Sequence, residues 1–303
     1  MKPLWFFLCE SSRPLRLCGA LLLFSAAACQ NDARLSGSLV VVDDAGDTVR
    51  LAEPAKRVVS LVPATTEILF AIGAGPVMVG RTRWDDYPAE AAAVTDVGDG
   101  INPNLGAILG QRPDLVVMYH SGANAGAADR LRQLGIPTAR LSVDRLADVS
   151  RIARMLGRLT GHPAEADSVA RTLESGLAAV SVPSDSAAPR ILIVAWDQPP
   201  MAIGRGSFLS ELVERAGGRN LFDDLKTPSA QISIEAVVDR NPDALLVSSD
   251  GPPALASRPE WQVVPAVREN RFIHVTSSAF SRPSPRAPEA IAELRQKLKG
   301  LPR

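Results

Sequence analysis

The chain has 303 residues, 33 basic and 33 acidic side chains, 46% hydrophobic residues and only 5% aromatics. This neutral balance, with no polybasic segment, argues against a nucleic-acid partner. The chain has three cysteines, at positions 9, 18 and 29. The part beyond residue 29 therefore has neither a disulfide nor a thiolate metal site, and must stand on its apolar core.

Taken in chain order, Lys2, Arg13 and Arg16 lead into an apolar run that ends in Ala26-Ala27-Ala28-Cys29. The run has the ~7–15 residues of a secretory h-region, too few for a transmembrane helix of ~20. Small residues before a cysteine resemble the bacterial lipobox. That resemblance implies a signal peptide at 1–28, cleavage before Cys29 and lipidation of its thiol, with 29–38 as a flexible tether. Removing 1–28 takes away three basic residues and one acid, leaving 30 and 32.

The segment 39–145 reads as one α/β lobe. A strand at 57–62 runs through Pro63 into a helix from Thr65 to Ile72, with Thr65 or Thr66 as cap and Glu67 in the first turn. A strand at 77–79, a helix at 105–110, a strand at 115–118, a helix at 127–134 and a strand at 138–143 follow. Segment 146–183 is a helical linker. In it Ala166, Val169, Ala170, Leu173, Leu177 and Val180 recur at helical spacing after Pro163. The remainder, 184–303, repeats the plan: strand 191–195, a loop at Pro199-Pro200, helix 207–216, helix 234–239, strand 244–247 and strand 272–275. RPDLVV in the first half is echoed by NPDALLV in the second. Short continuous apolar strands alternating with helices predict two Rossmann-like lobes with parallel sheets, joined by one long rigid helix.

No catalytic signature is present. There is no G-x-S-x-G elbow, and Gly204-Arg205-Gly206-Ser207 lacks the third glycine of a dinucleotide fingerprint and the lysine of a P-loop. It reads as a tight loop and a helix cap. His120, His162 and His274 lie far apart and show no metal spacing. The reading is a binding protein, not an enzyme, with no resident cofactor or metal.

Four stretches in order, VVDDAGDTVRLAEPAKRVVSLVPATTEILFAIGAG, VGRTRWDDYP, PDLVVMY and GSFLSELVERAGGRNLFDD, resemble one family throughout. It is the helical-backbone substrate-binding proteins of ATP-driven (ABC) importers for vitamin B12, siderophores and haem. The resemblance spans 39–300 and is strongest to the B12 binders, through WDDYP and SAFSRPSPR. It implies a monomeric envelope lipoprotein, anchored to the membrane, that captures a metal chelate, here cobalamin or another corrinoid, and delivers it to a membrane permease. The same scaffold loaded with haem or a ferric siderophore is the alternative. Tyr119-His120 would suit haem iron, and Arg81, Arg83, Arg205 and Arg282 would suit an anionic siderophore.

Residue by residue, the resemblance implies ligand contacts at Trp84, Tyr119, Phe280 and Arg282. Trp196 joins them because it starts the loop after the first strand of the second lobe, where α/β sheets bind ligands. Asp197, Arg205 and Arg286 are rim candidates. Trp261 lies outside any predicted loop mouth. Gly100 and Ser229 stand where B12 binders place Trp, so the aromatic cage is thinner. Glu235 matches one of two lobe-tip acids that dock the permease, while Gly106 stands where the other Glu is usual.

Overall fold

The computed structural model describes residues 39–182 and 187–301. The expected signal peptide, Cys29 and the tether lie outside the described residues. The chain opens with an antiparallel hairpin, β1 (Leu39–Val42) and β2 (Thr48–Leu51), which the strand pattern did not predict. Asp43 makes its turn. One carboxylate oxygen accepts the N–H groups of Ala45 and Asp47, and the other accepts that of Arg140, tying the hairpin to the first lobe.

The first lobe then runs β3 (Val58–Ser60), α1 (Pro63–Ala71), β4 (Met78–Gly80), α2 (Leu105–Gly110), β5 (Leu115–Tyr119), α3 (Ala125–Gln133) and β6 (Thr138–Leu141). Its sheet is wholly parallel, in the order β4-β3-β5-β6. β5 shows why its sequence reads as unbroken apolar. Leu115 and Val117 enter the core on one face, and Val116 and Met118 enter it on the other. α1 starts two residues earlier than expected, at Pro63, with no side-chain cap. Thr65 and Thr66 are buried inside it, and the Thr65 hydroxyl bonds back to the Val62 carbonyl at 2.9 Å. Glu67 consequently lies beyond the first turn.

The linker is a helix pair, α4 (Leu146–Thr160) and α5 (Pro163–Val180), broken at Gly161 with φ 81°. The second lobe follows as β7 (Arg190–Asp197), β8 (Pro200–Ile203), α6 (Phe208–Ala216), β9 (Arg219–Asn220), β10 (Ser229–Gln231), α7 (Ile234–Arg240), β11 (Ala244–Val247), α8 (Pro265–Arg268), β12 (Phe272–His274) and α9 (Ala287–Lys299). Its sheet runs β10-β8-β7-β11-β12, with β9 beside the start of β7. This sheet is mixed, a correction to the expectation of two parallel sheets. β8 pairs antiparallel with both β7 and β10. The supposed loop at Pro199-Pro200 is the turn of the β7–β8 hairpin: Gln198 and Pro199 connect the strands and Pro200 opens β8, a polar and proline-rich stretch without strand periodicity.

One core cluster runs through both lobes. It takes in Ile68 of α1, Ile152 and Leu156 of α4, Leu173 of α5, Leu212 of α6, Ile193 of β7 and Ile291 and Leu294 of α9. The described residues accordingly form one compact unit. No helix among the described residues is long and apolar enough to cross a membrane.

Candidate functional site

In the order β4-β3-β5-β6 the chain leaves β3 in one direction and returns to β5 in the other. The carboxyl ends of β3 and β5 thus form a switch point, where open α/β sheets leave a crevice. A large cavity opens there. It has a volume of about 1140 Å³ and lies between Leu61, Val62 and Tyr119 of the first lobe and Ile203, Phe208 and Arg282 of the second.

Trp84 lines this cleft and is 63% exposed. Its loop is ordered by the buried Asp85, whose carboxylate accepts the Thr82 N–H at 2.5 Å and the Thr82 hydroxyl at 2.7 Å. Burial pushes the Asp85 carboxyl up, against those hydrogen bonds. The Thr82 hydroxyl also accepts the Trp84 N–H at 3.2 Å. Tyr119, at the end of β5, lines the cleft and donates its hydroxyl to Asp144 at 2.6 Å. Burial, then the Asp144 carboxylate, push the phenol up to about 12.

Arg282 reaches the cleft from the loop before α9. Its Nε donates to Glu67 Oε1 at 2.6 Å, its Nη1 to the Trp84 carbonyl at 3.3 Å, and its Nη2 to Asp86. Burial, the largest single influence, pulls its guanidinium pKa down, but the hydrogen bonds to Glu67 and Asp86 outweigh it and leave it raised. Beside it, Arg286 donates to both Glu67 oxygens at 3.0 and 2.8 Å and lies 3.7 Å over the Tyr87 ring.

Two expected contacts fall elsewhere. Phe280 is 4% exposed and belongs to the shared core under α9, because its short turn folds inward. Ser281, Arg282 and Pro283 form the wall instead. Trp196 lines a separate cavity of about 350 Å³ with Ser248 and Leu255. β7 continues past the expected boundary to Asp197, and the hairpin with β8 holds the Trp196 indole N–H on the Gln198 carbonyl at 2.7 Å. Trp261 is 1% exposed and packs in the core of the second lobe. Arg81 turns away onto the carbonyls of Ala91 and Thr82, and Arg205 faces Asp223 at 3.7 Å.

Gly100 and Ser229 do line the cleft. A Cβ built on Gly100 would lie 2.1 Å from the Leu61 carbonyl oxygen, so no larger residue fits there without a backbone shift. Ser207 caps α6, accepting the Ser210 N–H at 3.3 Å, and presents Phe208 to the cleft. Gly106 and Glu235 are both exposed and occupy the same place in their helices, two residues after the caps Asn104 and Ser233. Backbone and Ser233 hydrogen bonds hold the Glu235 carboxyl below its ordinary range. No cluster of His, Cys, Asp and Glu suited to a metal ion occurs among the described residues.

Sequence reasoning missed three contributors. Glu67 is buried between the lobes, and its only signal was a carboxylate inside the apolar helix ATTEILFAIG. Asp99 and Asp144 line the cleft from loops whose sequence carries no periodic pattern.

Residues 58–279 match the periplasmic binding protein family. The chain belongs to that family. The vitamin B12-binding protein of Vibrio parahaemolyticus serotype O3:K6 is 29% identical over 244 residues, 80% of this chain and 89% of that one. An uncharacterized ABC transporter substrate-binding lipoprotein of Bacillus subtilis, YvrC, is 31% identical over 270 residues, covering 86% and 85%. Among solved structures, the periplasmic heme-binding protein RhuT from Roseiflexus sp. RS-1 superposes with a TM-score of 0.72 at 24% identity, covering 80% of this chain and 98% of that one. As in that structure, the periplasmic binding fold here is two-lobed, and the cleft just described lies between its lobes.

Proposed function

We propose that this periplasmic binding protein is the substrate-binding lipoprotein of an ABC importer and that it captures a corrinoid between its lobes. The observation that carries the choice of ligand is the charge of the cleft. Asp86, Asp99 and Asp144 line it, against Arg282 as the single guanidinium among the described lining residues. Arg282 is already neutralised by Glu67 and Asp86. Anionic ligands, such as haem with its two propionates or most ferric siderophores, would enter a field of their own sign. Cobalamin carries no net charge and is a broad macrocycle edged with amides. A cleft larger than the ~300–1,000 Å³ of ordinary ligand pockets, with apolar walls and aromatic faces at Trp84, Tyr119 and Phe208, suits it.

Haem ligation meets a second obstacle. An iron-bound tyrosine is a phenolate, and Asp144 holds the Tyr119 hydroxyl protonated. Glu235 is the proposed permease-docking acid on the second lobe, and Gly106 leaves the equivalent place on the first lobe without one. Cys29 is the proposed lipid attachment.

Titration calorimetry with cyanocobalamin tests the reading. Wild type binds one equivalent. Trp84→Ala loses ~2 kcal/mol or more, roughly thirtyfold in affinity, as for an aromatic anchor in a desolvated site. Trp196→Ala, outside the cleft, changes affinity far less and is the control. Trp261→Ala is not a usable control, because it empties a core position. Failure of wild type to bind cobalamin, with haemin bound instead, would overturn the choice of ligand.

A further inference from the structure

Glu67 has no place in the reading above beyond neutralising Arg282, yet it is the most deeply placed carboxylate of the site, with a side chain 1% exposed. It sits on α1 of the first lobe and holds two arginines from the last loop of the second, 215 and 219 residues away in sequence. Arg286 is further fixed by Ser278 at 3.0 Å and by the Tyr87 ring. Arg282 is further fixed by Asp86 and by the backbone of Trp84 itself. One guanidinium, that of Arg282, thus stands at the cleft wall with that of Arg286 behind it, and the buried carboxylate shared between them cancels charge that the cleft would otherwise display.

We infer that Glu67 is the specificity-determining residue of the cleft: by masking Arg282 and Arg286 it sets the binding surface to reject anionic chelates and accept neutral or cationic ones. This rests on the proposed preference for a corrinoid over haem or an anionic siderophore. The physical reason is the low dielectric around a buried pair. Removing one partner leaves an uncompensated charge whose field reaches the adjoining cavity with little screening. Glu67→Gln keeps the shape and removes the negative charge. It would turn this wall of the cleft from neutral to cationic without touching any residue that lines it.

The experiment reads the local potential without a ligand. Trp84 is the reporter, in a chain carrying Trp5→Phe and Trp196→Phe, with Trp261 buried out of reach of quenchers. Its fluorescence is quenched by iodide and by caesium at low ionic strength. The iodide-to-caesium ratio with Glu67 in place is the reference. Glu67→Gln is expected to raise the iodide-to-caesium ratio about threefold or more, as for a unit charge within a few Å of the cleft wall. Glu67→Asp, which disturbs packing but keeps the charge, leaves the ratio near its starting value. A shift that is equal in the Gln and Asp variants, or absent in Gln, overturns the inference and leaves Glu67 a structural residue.

Should Glu67→Gln fail to fold, Arg286→Gln tests the opposite sign, because it leaves carboxylates in excess and must lower the ratio. An unchanged ratio there also overturns the inference. The affinity ratio of haemin to cyanocobalamin then follows the same order across the folded variants, rising in Glu67→Gln. Failure of wild type to bind cobalamin would overturn the corrinoid reading alone, since the quenching ratio is measured without it.

Discussion

Tyr119 shows how one side chain's environment narrows what the cleft can hold. Its hydroxyl is tied to Asp144, and the phenol is pushed up from 10 to about 12, first by burial and then by the carboxylate. A folded-state pKa above the unfolded value means that the folded protein holds this proton more tightly. The contribution to stability is full below the unfolded pKa of about 10 and is lost as pH rises through about 12. Phenolate absorbance in an alkaline titration should therefore show Tyr119 ionising late. Asp144→Asn should bring its midpoint down toward, but not to, 10, because burial remains. An unmoved midpoint would mean that Asp144 does not hold the hydroxyl. Of the two tyrosines in the chain, Tyr87 lies under Arg286, so a Tyr87→Phe background isolates the signal.

At the scale of the element, the linker is seated by small residues. A Cβ on Gly157 of α4 would lie 2.3 Å from the Ala166 Cβ and 2.8 Å from the His162 carbonyl oxygen. On the far side of α5, a Cβ on Gly176 would lie 2.9 Å from the Pro288 ring of α9. α5 is therefore wedged between a helix packed on the first lobe and one packed on the second. Gly157→Ala should force α4 from α5 and destabilise the protein by ~1–3 kcal/mol, as overpacking does. The loss should appear in a thermal scan as about 2–4 °C per kcal/mol. Gly110→Ala, at the exposed end of α2 where nothing lies within 4 Å, is the matched control. It should be neutral or slightly stabilising, since Ala is the better helix former by ~1 kcal/mol. Equal effects at the two sites would remove the close-packed linker from the account.

At the scale of the whole molecule, three features oppose hinge motion. The shared core runs through α4, α5 and α9. An 18-residue helix, ~27 Å long, crosses between the lobes. The Glu67 pair of ion contacts closes the cleft wall from the other side. Opening would cost buried apolar contact and expose an unpaired carboxylate at once. For the unit spanning residues 39–301, the expected outcome of small-angle scattering is a radius of gyration near the ~18 Å of a compact domain of that length. Saturating cobalamin should change it by less than ~1 Å, unlike hinge-closing receptors. A contraction of several ångströms would contradict a rigid linker.

Sequence alone was enough for the continuous apolar strands β5 and β11, the capped start of α6, the linker helix after Pro163 and the family to which these segments belong. Each rests on local periodicity, capping chemistry or a contiguous motif, and these survive in one dimension. That Trp84 stands at the cleft was legible for the same reason, through the WDDYP motif. The mixed second sheet was not, because β8 and β10 are short and their pairing is set by what lies beside them. Phe280 and Trp196 show the same limit. Whether an aromatic next to a motif faces a cleft or a core depends on which way its turn folds, and no spacing encodes that. Glu67 is the clearest case. In sequence it is an ordinary carboxylate near a helix start, and only the fold brings Arg282 and Arg286 to it from more than 200 residues away. The charge of the cleft is a sum over distant residues that only the tertiary structure brings together.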